Sequence, residues 1–213
     1  MSTVPDPDVY AWFESERNRP AYYTLMFTRG LAPDEVLRRL AGPGPATGVG
    51  QRAIVDDVDQ VAVHDLGEWS LAVERHGFEA YVETAVNRLS VGTEVVMLAY
   101  NVLGHCRFRH TVDGATWTDF DAVDPSDRFG LHPDRLVDAM RGAGLDPDHD
   151  IEDTDYDDEQ LNWCSKTMAL AESITGIRLE PGTFSATPTR TARISFAIEA
   201  PEAGTGRSLP PRP

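Results

Sequence analysis

The chain has 213 residues and a formal net charge of −16, from 19 Lys+Arg against 35 Asp+Glu. Hydrophobic residues make up 41% and charged residues 25%, a composition that excludes a largely disordered chain, a collagen-like repeat and a membrane protein. The acidity also argues against binding to nucleic acids or anionic membranes, because their phosphates would repel the chain. We therefore expect no nucleic-acid partner and no membrane association.

The N-terminal residues show neither the basic segment nor the apolar core of a signal peptide, and we expect a cytoplasmic protein. The longest apolar run, residues 95–100, is far shorter than the ~20 residues that span a bilayer. The cysteines, Cys106 and Cys164, are too few for a disulfide framework or a Cys-rich zinc site. Both are expected to be small buried hydrophobes.

The first half of the chain predicts alternating helical and extended segments. A first helix is expected at residues 7–15, where Val9, Trp12 and Phe13 form an apolar stripe. A second helix begins at Pro33 and ends at Gly42, because proline suits a first turn and glycine a helix end. The Gly- and Pro-rich residues that follow are predicted to form a loop. The predicted elements of this half are strands at 22–29, 58–64 and 69–74, helices at 7–15, 33–41 and 81–89, and a loop at 42–50.

The second half predicts the centre of a sheet and the longest helix. Residues 93–100 are the most continuously apolar strand, and Asp113-Gly114 is a strong hairpin signal between strands 106–112 and 116–121. Asp157 is a candidate cap for a helix that runs to Thr175. The remaining segments are a helix at 132–141, a strand at 192–198 and a disordered Pro/Gly-rich tail at 200–213.

These elements predict an α+β fold, because adjacent strands form hairpins and the helices do not alternate strictly with them. We expect a mostly antiparallel sheet of about five to seven strands, with the helices packed mainly on one face. A single domain is expected over residues 5–199. Residues 30–44 and 130–144 are similar to one another, which indicates either a duplicated strand–helix unit or two helices with the same start and stop residues.

Eight short segments carry a family resemblance: 28–31, 34–40, 69–74, 89–96, 128–130, 133–136, 169–172 and 175–177. Together they resemble an uncharacterised actinobacterial family of domains of unknown function, over about residues 10–180. The family implies no reaction that would assign catalytic residues. An actinobacterial source also fits the basic charge, which is almost wholly arginine, with Lys166 the single lysine.

The sequence lacks the common catalytic signatures: there is no nucleophile elbow, phosphate-binding glycine loop, dinucleotide fingerprint or HExxH zinc motif. Cys106 lies among histidines and arginines and would be reactive if these lowered its pKa, but a structural role is favoured because His105 points to the opposite face of its strand. The arginines of this strand, Arg107 and Arg109, form either a solvated face or an anion-binding patch with Arg29 and Arg128. We expect no cofactor and no bound metal.

Residues 146–159 contain nine carboxylates in fourteen residues and immediately precede the long helix. Alternating carboxylates suit Ca²⁺, but the glycine and the final glutamate of an EF-hand loop do not fall in register. The alternative is a solvated acidic loop whose last residues, 157–159, stabilise the N-terminus of the following helix. If the chain binds a basic partner, we expect part of the contact to lie in this loop. The residues predicted to bind that partner are Asp150, Glu152, Asp153 and Asp155.

The sequence leaves two functions open. The first is a binding module of the immunity or adaptor type, which engages a basic protein through acidic surface and performs no catalysis. The alternative is an enzyme whose active site is assembled from dispersed residues, for which Glu74, Arg109 and His110 are the nominees. The first is favoured because no catalytic motif is present.

Overall fold

The structure, a computed structural model, describes residues 5–14, 22–42, 46–50, 60–75, 83–101, 105–150 and 162–194. Within them lie nine strands: β1 (Tyr23–Arg29), β2 (Ala46–Gly50), β3 (Gln60–Asp65), β4 (Trp69–Arg75), β5 (Glu94–Tyr100), β6 (Cys106–Val112), β7 (Ala115–Asp121), β8 (Asp124–Phe129) and β9 (Arg190–Ile194). The helices are α1 (Ala11–Glu14), α2 (Pro33–Ala41), α3 (Glu83–Leu89), α4 (Val137–Gly142) and α5 (Trp163–Thr175), with 3-10 turns at Pro7–Tyr10 and Pro133–Leu136. The predicted tail at 200–213 lies outside the described residues, and the single domain over 5–199 stays a prediction.

The strands form one antiparallel sheet in the order β2-β9-β3-β4-β1-β5-β6-β7-β8. The α+β prediction is confirmed, but nine strands exceed the five to seven expected. The two that were missed are the edge strands, β2 inside the predicted loop and β8 in an Asp- and Pro-containing segment. An edge strand pairs on one side only, so it forms without the apolar pattern that marks an interior strand.

The strand predicted at 93–100 is interior. β5 pairs with β1 on one side and β6 on the other, and both Val95 and Met97 are completely buried. β1 itself occupies the middle position of the sheet. The continuous apolar run of β5 is therefore explained by burial on both of its faces.

Helices cover both faces of the sheet. Leu25 and Phe27 belong to one hydrophobic cluster and the intervening Met26 to another, because successive strand residues point to opposite faces. The face of Leu25, here called the α5 face, packs against α1, α4 and α5. The face of Met26, here called the α2 face, packs against α2 and α3. Interior strands that are apolar on both faces need helices on both.

The ends of α2 follow the sequence signals. Pro33 begins the helix, and Gly42 ends it with a φ of 61°, a conformation that glycine adopts without strain. Near its start Glu35 accepts hydrogen bonds from Arg38 and Arg39. Local chemistry therefore decides both the position and the length of this helix.

Two other helices differ from their predictions. The first is a 3-10 turn followed by α1, and it buries Tyr10 and Phe13 while Val9 of the predicted stripe is exposed. The longest helix begins at Trp163. The predicted cap at Asp157 lies outside the described residues.

The hairpin predicted at Asp113-Gly114 is confirmed. The φ angles are 48° at Asp113 and 77° at Gly114, the two positive values that a tight turn between β6 and β7 requires. Residues 30–44 and 130–144 each carry a helix directly after a strand, as their similarity suggests. However, α2 packs on the α2 face and α4 on the α5 face, so the two segments occupy different environments.

Candidate functional site

A buried carboxylate and two arginines form a polar cluster on the α2 face, here called the Asp119 cluster. Asp119 on β7 is fully buried. It accepts hydrogen bonds from Arg107 Nε at 2.6 Å and Nη2 at 3.0 Å, and a further one from Arg109 Nε. The register places Arg109 directly opposite Asp119, and Arg107 lies on the same face two residues away.

The two arginines differ in their exposure to solvent and in their hydrogen bonding. The Arg109 side chain is 4% exposed and the Arg107 side chain 25%. Arg109 Nη1 is buried and has no hydrogen-bond partner in the described part of the chain. The Arg107 guanidinium lies over the ring of Phe129, 5.3 Å from its centroid, so this arginine lies at the solvent side of the cluster.

The same sheet face carries a row of small residues beside the Asp119 cluster. Glu74 pairs with Thr24, Thr24 with Ala99, and Ala99 with Arg107, in register across four strands. Glu74 and Thr24 are buried. Neighbouring strands are about 4.8 Å apart, so the backbones of Glu74 and Arg107 are separated by roughly 14 Å. Thr24 and Ala99, both buried, therefore lie between a buried carboxylate and a guanidinium.

The three residues nominated for an enzyme do not meet. Glu74 and Arg109 share the α2 face, whereas His110 pairs with Val96 and points to the α5 face. There, His110 Nε2 lies 2.8 Å from Glu94 Oε1. The hydrogen bond with His110, together with a contact from Arg29, lowers the pKa of the Glu94 carboxyl. The sheet separates His110 from the other two nominees, so this active site is not assembled.

The four arginines considered as an anion-binding patch occupy three different places. Only Arg107 and Arg109 share a carboxylate. Arg29 lies 3.4 Å from Glu94 and packs over the ring of Trp69. Arg128 forms an ion pair of 2.7 Å with Asp134.

The cysteines have the structural role predicted for them. Cys106 and Cys164 are buried between β6 and α5, with their Sγ atoms 3.9 Å apart. The hydrogen bond with Cys164 and burial raise the pKa of the Cys106 thiol, which disfavours the reactive thiolate. His105 is exposed and contacts Asp121 at 2.8 Å, so it does not activate Cys106.

An open groove lies next to the sheet edge. It has a volume of about 460 Å³ and is lined by the five consecutive residues from Leu131 to Arg135. The chain is held to β7 at this point, because the amides of Leu131 and His132 donate to the carbonyls of Thr116 and Trp117. Leu131 is 65% exposed, so an apolar side chain projects into solvent there.

Asp134 lines the groove, and two other exposed carboxylates, Asp138 and Asp148, follow it in the chain. Arg128 connects Asp134 to the carbonyl of Pro147, and Arg141 contacts both Asp138 and Asp148. These contacts bring β8, α4 and the following loop into one continuous region. We call the region formed by Leu131, Asp134, Asp138 and Asp148 the acidic edge surface.

Only one of the four predicted partner-binding residues lies within the structure. Asp150 is partly exposed, just after the acidic edge surface. Glu152, Asp153 and Asp155 lie outside the described residues. Within the ranges that the structure describes, no group of three or more His, Cys, Asp or Glu is arranged to hold a metal ion, and no helix is long and apolar enough to span a membrane.

Sequence reasoning selected Arg109 and Glu74 but missed Asp119 and Leu131. The hairpin turn gave no signal for Asp119, because a regular continuation of that turn places Thr118 opposite Arg109 and a register shift is needed to bring Asp119 there. The signal for Leu131 was weak, since a single apolar residue in a polar segment is ordinarily uninformative.

The comparison with known proteins identifies a family and no activity. The model of a family described as "Family of unknown function (DUF6461)" matches residues 2–197, and the chain belongs to this family. No match was found among curated proteins or among solved structures. The prediction that the chain is related to a family of domains of unknown function is thereby confirmed.

Proposed function

We propose that this chain is a protein-interaction module that binds a basic partner through the acidic edge surface. The observation that carries the proposal is the groove in which the exposed Leu131 and the exposed Asp134 lie together. The cytoplasmic location, the actinobacterial source and a role of the immunity or adaptor type, all predicted from the sequence, belong to the same proposal.

The charge balance of this region supports the proposal. Residues 124–150 contain seven aspartates and three arginines, a net charge of −4. Arg128 and Arg141 are already engaged within the chain, and Arg135 lies over the ring of Trp117 at 4.6 Å. Each of these arginines thus has a contact within the chain, while Asp134 and Asp148 remain 74% and 75% exposed. Such a surface attracts a positively charged partner and speeds its association.

The apolar component supports contact with a protein. Leu131 and Phe129, 65% and 47% exposed, lie on the same short segment as the groove. Protein interfaces combine a desolvated apolar centre with a polar rim. We propose that the partner inserts an apolar side chain beside Leu131 and places lysines or arginines against the surrounding aspartates.

The predicted residues Asp150, Glu152, Asp153 and Asp155 would extend this surface along the chain. The segment 146–159 follows the acidic edge surface directly and carries nine carboxylates. In the proposal they add to the long-range attraction, whereas Leu131 and the neighbouring aspartates make the short-range contacts.

The test compares two triple variants with the same change in charge. The first, Asp134→Asn, Asp138→Asn and Asp148→Asn, neutralises the acidic edge surface. The matched control neutralises three exposed carboxylates elsewhere: Glu68→Gln, Glu83→Gln and Glu180→Gln. Each is used as bait in a lysate of the native host, and captured proteins are identified by mass spectrometry and then purified for kinetic measurements.

We expect the wild type and the control to capture a common basic protein that the first variant loses. Its association rate should fall steeply above about 0.15 M salt, where the Debye length is about 8 Å. Equal capture by both variants, with equal association rates and salt dependence, would refute the acidic edge surface as the binding site.

A further inference from the structure

Two thiols from distant parts of the chain meet between the sheet and the longest helix. Cys106 begins β6, and Cys164 is the second residue of α5, 58 residues further along the chain. The Cys106 thiol donates a hydrogen bond to Cys164 Sγ, and the two sulfur atoms are 3.9 Å apart. Both are free, buried thiols, and the chain has no other cysteine. A disulfide within the chain can therefore join only this pair.

The two sulfur atoms are separated by a short movement from bonding distance. The S–S bond of a disulfide is about 2.05 Å long, so the atoms have to approach one another by roughly 1.9 Å. The strand and the helix that carry them already pack together in one hydrophobic cluster. Side-chain rotation with a small shift of the first turn of α5 is the movement that closes this gap.

The two thiols differ in their surroundings. Cys164 lies in the first turn of α5, where the positive end of the helix dipole favours a thiolate. The S–H of Cys106 is directed at Cys164 Sγ and stabilises a negative charge there. The hydrogen bond with Cys164, together with burial, raises the pKa of the Cys106 thiol. Cys164 is therefore suited to attack an oxidant, and Cys106 to attack the oxidised Cys164.

Access to the buried pair depends on the start of α5. The ends of helices fray, and Cys164 is one residue inside the beginning of its helix. Opening of a single turn has a lower free energy than unfolding of the whole chain. Such an opening admits an oxidant as small as hydrogen peroxide to Cys164 Sγ while the sheet stays intact.

From this geometry we propose that Cys106 and Cys164 are a redox-active pair, which hydrogen peroxide converts to a disulfide between β6 and α5. The Cys164 thiolate attacks one oxygen of the peroxide, the O–O bond breaks, hydroxide leaves, and Cys164 becomes a sulfenic acid. The Cys106 sulfur then attacks the Cys164 sulfur, and the sulfenic oxygen leaves as water with the proton of Cys106. In total, two thiols lose two electrons and two protons, and one peroxide becomes two waters.

The disulfide ties α5 to the sheet and is reversible. Closing a loop of 58 residues restricts the unfolded chain and so stabilises the folded one. Disulfides in reducing compartments are transient and act as redox sensors, because cellular thiols reduce them again. This pair is independent of the acidic edge surface and of any protein partner.

The test treats the full chain, fully reduced beforehand, with hydrogen peroxide and analyses it without a reductant. Trypsin releases Cys106 in the peptide 89–107 and Cys164 in the peptide 142–166, so the disulfide appears in mass spectrometry as one cross-linked peptide. The variants Cys106→Ala and Cys164→Ala are each oxidised in the presence of dimedone, which traps a sulfenic acid. The double variant is the control for oxidation of other residues, and circular dichroism confirms that each variant is folded.

We expect the oxidised wild type to give the cross-linked peptide and a melting temperature higher by about 5–15 °C. Dithiothreitol should reverse both changes, and the double variant should show neither. Dimedone should label Cys106→Ala, which retains Cys164, at least tenfold faster than Cys164→Ala.

The wild type decides the proposal even where a variant fails to fold. The proposal is wrong if its thiols stay free under peroxide, or if they oxidise to sulfinic acids without the cross-linked peptide. Equal labelling of the two single variants would refute Cys164 as the residue that attacks the peroxide.

Discussion

Replacing Asp119 by Asn should destabilise the protein by about 4 kcal/mol, because removing one partner of a buried ion pair leaves the other charge uncompensated. Asn preserves the shape of the side chain, so the change isolates the charge. In the wild type Arg107 donates to both carboxylate oxygens and Arg109 to one. The amide of Asn offers one acceptor and one donor group, so at least one of these three contacts becomes a meeting of two donors.

The loss is measurable by urea unfolding followed by tryptophan fluorescence. For a chain of this length, about 4 kcal/mol corresponds to a melting temperature lower by roughly 8–16 °C. Asp134→Asn is the control, because it removes the same charge from an exposed ion pair with Arg128 and should cost less than about 1 kcal/mol. If Asp119→Asn lowers the free energy of unfolding by no more than Asp134→Asn does, the Asp119 cluster does not stabilise the sheet through its buried ion pairs.

Two further predictions concern a glycine and a titrating carboxylate. Gly130→Ala should destabilise the protein by at least about 2 kcal/mol in urea unfolding. The φ of Gly130 is 121°, and an added Cβ would lie 2.4 Å from the carbonyl oxygen of Trp117. The control is Gly182→Ala, whose Cβ would meet no atom within 4 Å, and it should be nearly neutral in the same measurement. Hydrogen bonds from Arg38 and Arg39 lower the pKa of Glu35 from 4.5 to about 2. The ionised Glu35 therefore stabilises the fold fully above pH 4.5, and this stabilisation is lost as the pH falls towards 2. An NMR titration should find this pKa well below 4, and Glu35→Gln should flatten the acid-side loss of stability; a measured pKa near 4.5 would contradict the ion pair.

Local sequence chemistry by itself determined several elements of this protein. Pro33 and Gly42 bound α2, and Asp113-Gly114 forms the turn of the β6–β7 hairpin. The continuous apolar run that became β5 identified an interior strand. For the bounds of α2 and the hairpin turn, the signal and the structure concern neighbouring residues, so no distant contact is needed to produce the result.

The edge strand β2 and the helix layers depended on contacts between distant parts of the chain. β2 contains two glycines and pairs with β9, which follows it by about 140 residues in the sequence. Its local composition predicted a loop, because glycine is a weak strand former. Backbone pairing with β9 overrides that preference.

The candidate site shows most clearly what the tertiary structure decided. A two-residue turn at Asp113-Gly114 would pair Arg109 with Thr118 if the hairpin continued regularly. The register shifts between His110 and Thr111, and Arg109 instead pairs with Asp119. A shift of one residue moves every side chain of a strand to the opposite face. Arginine and aspartate therefore meet because of an irregularity in the pairing of β6 with β7, and only the paired strands of the folded chain reveal it.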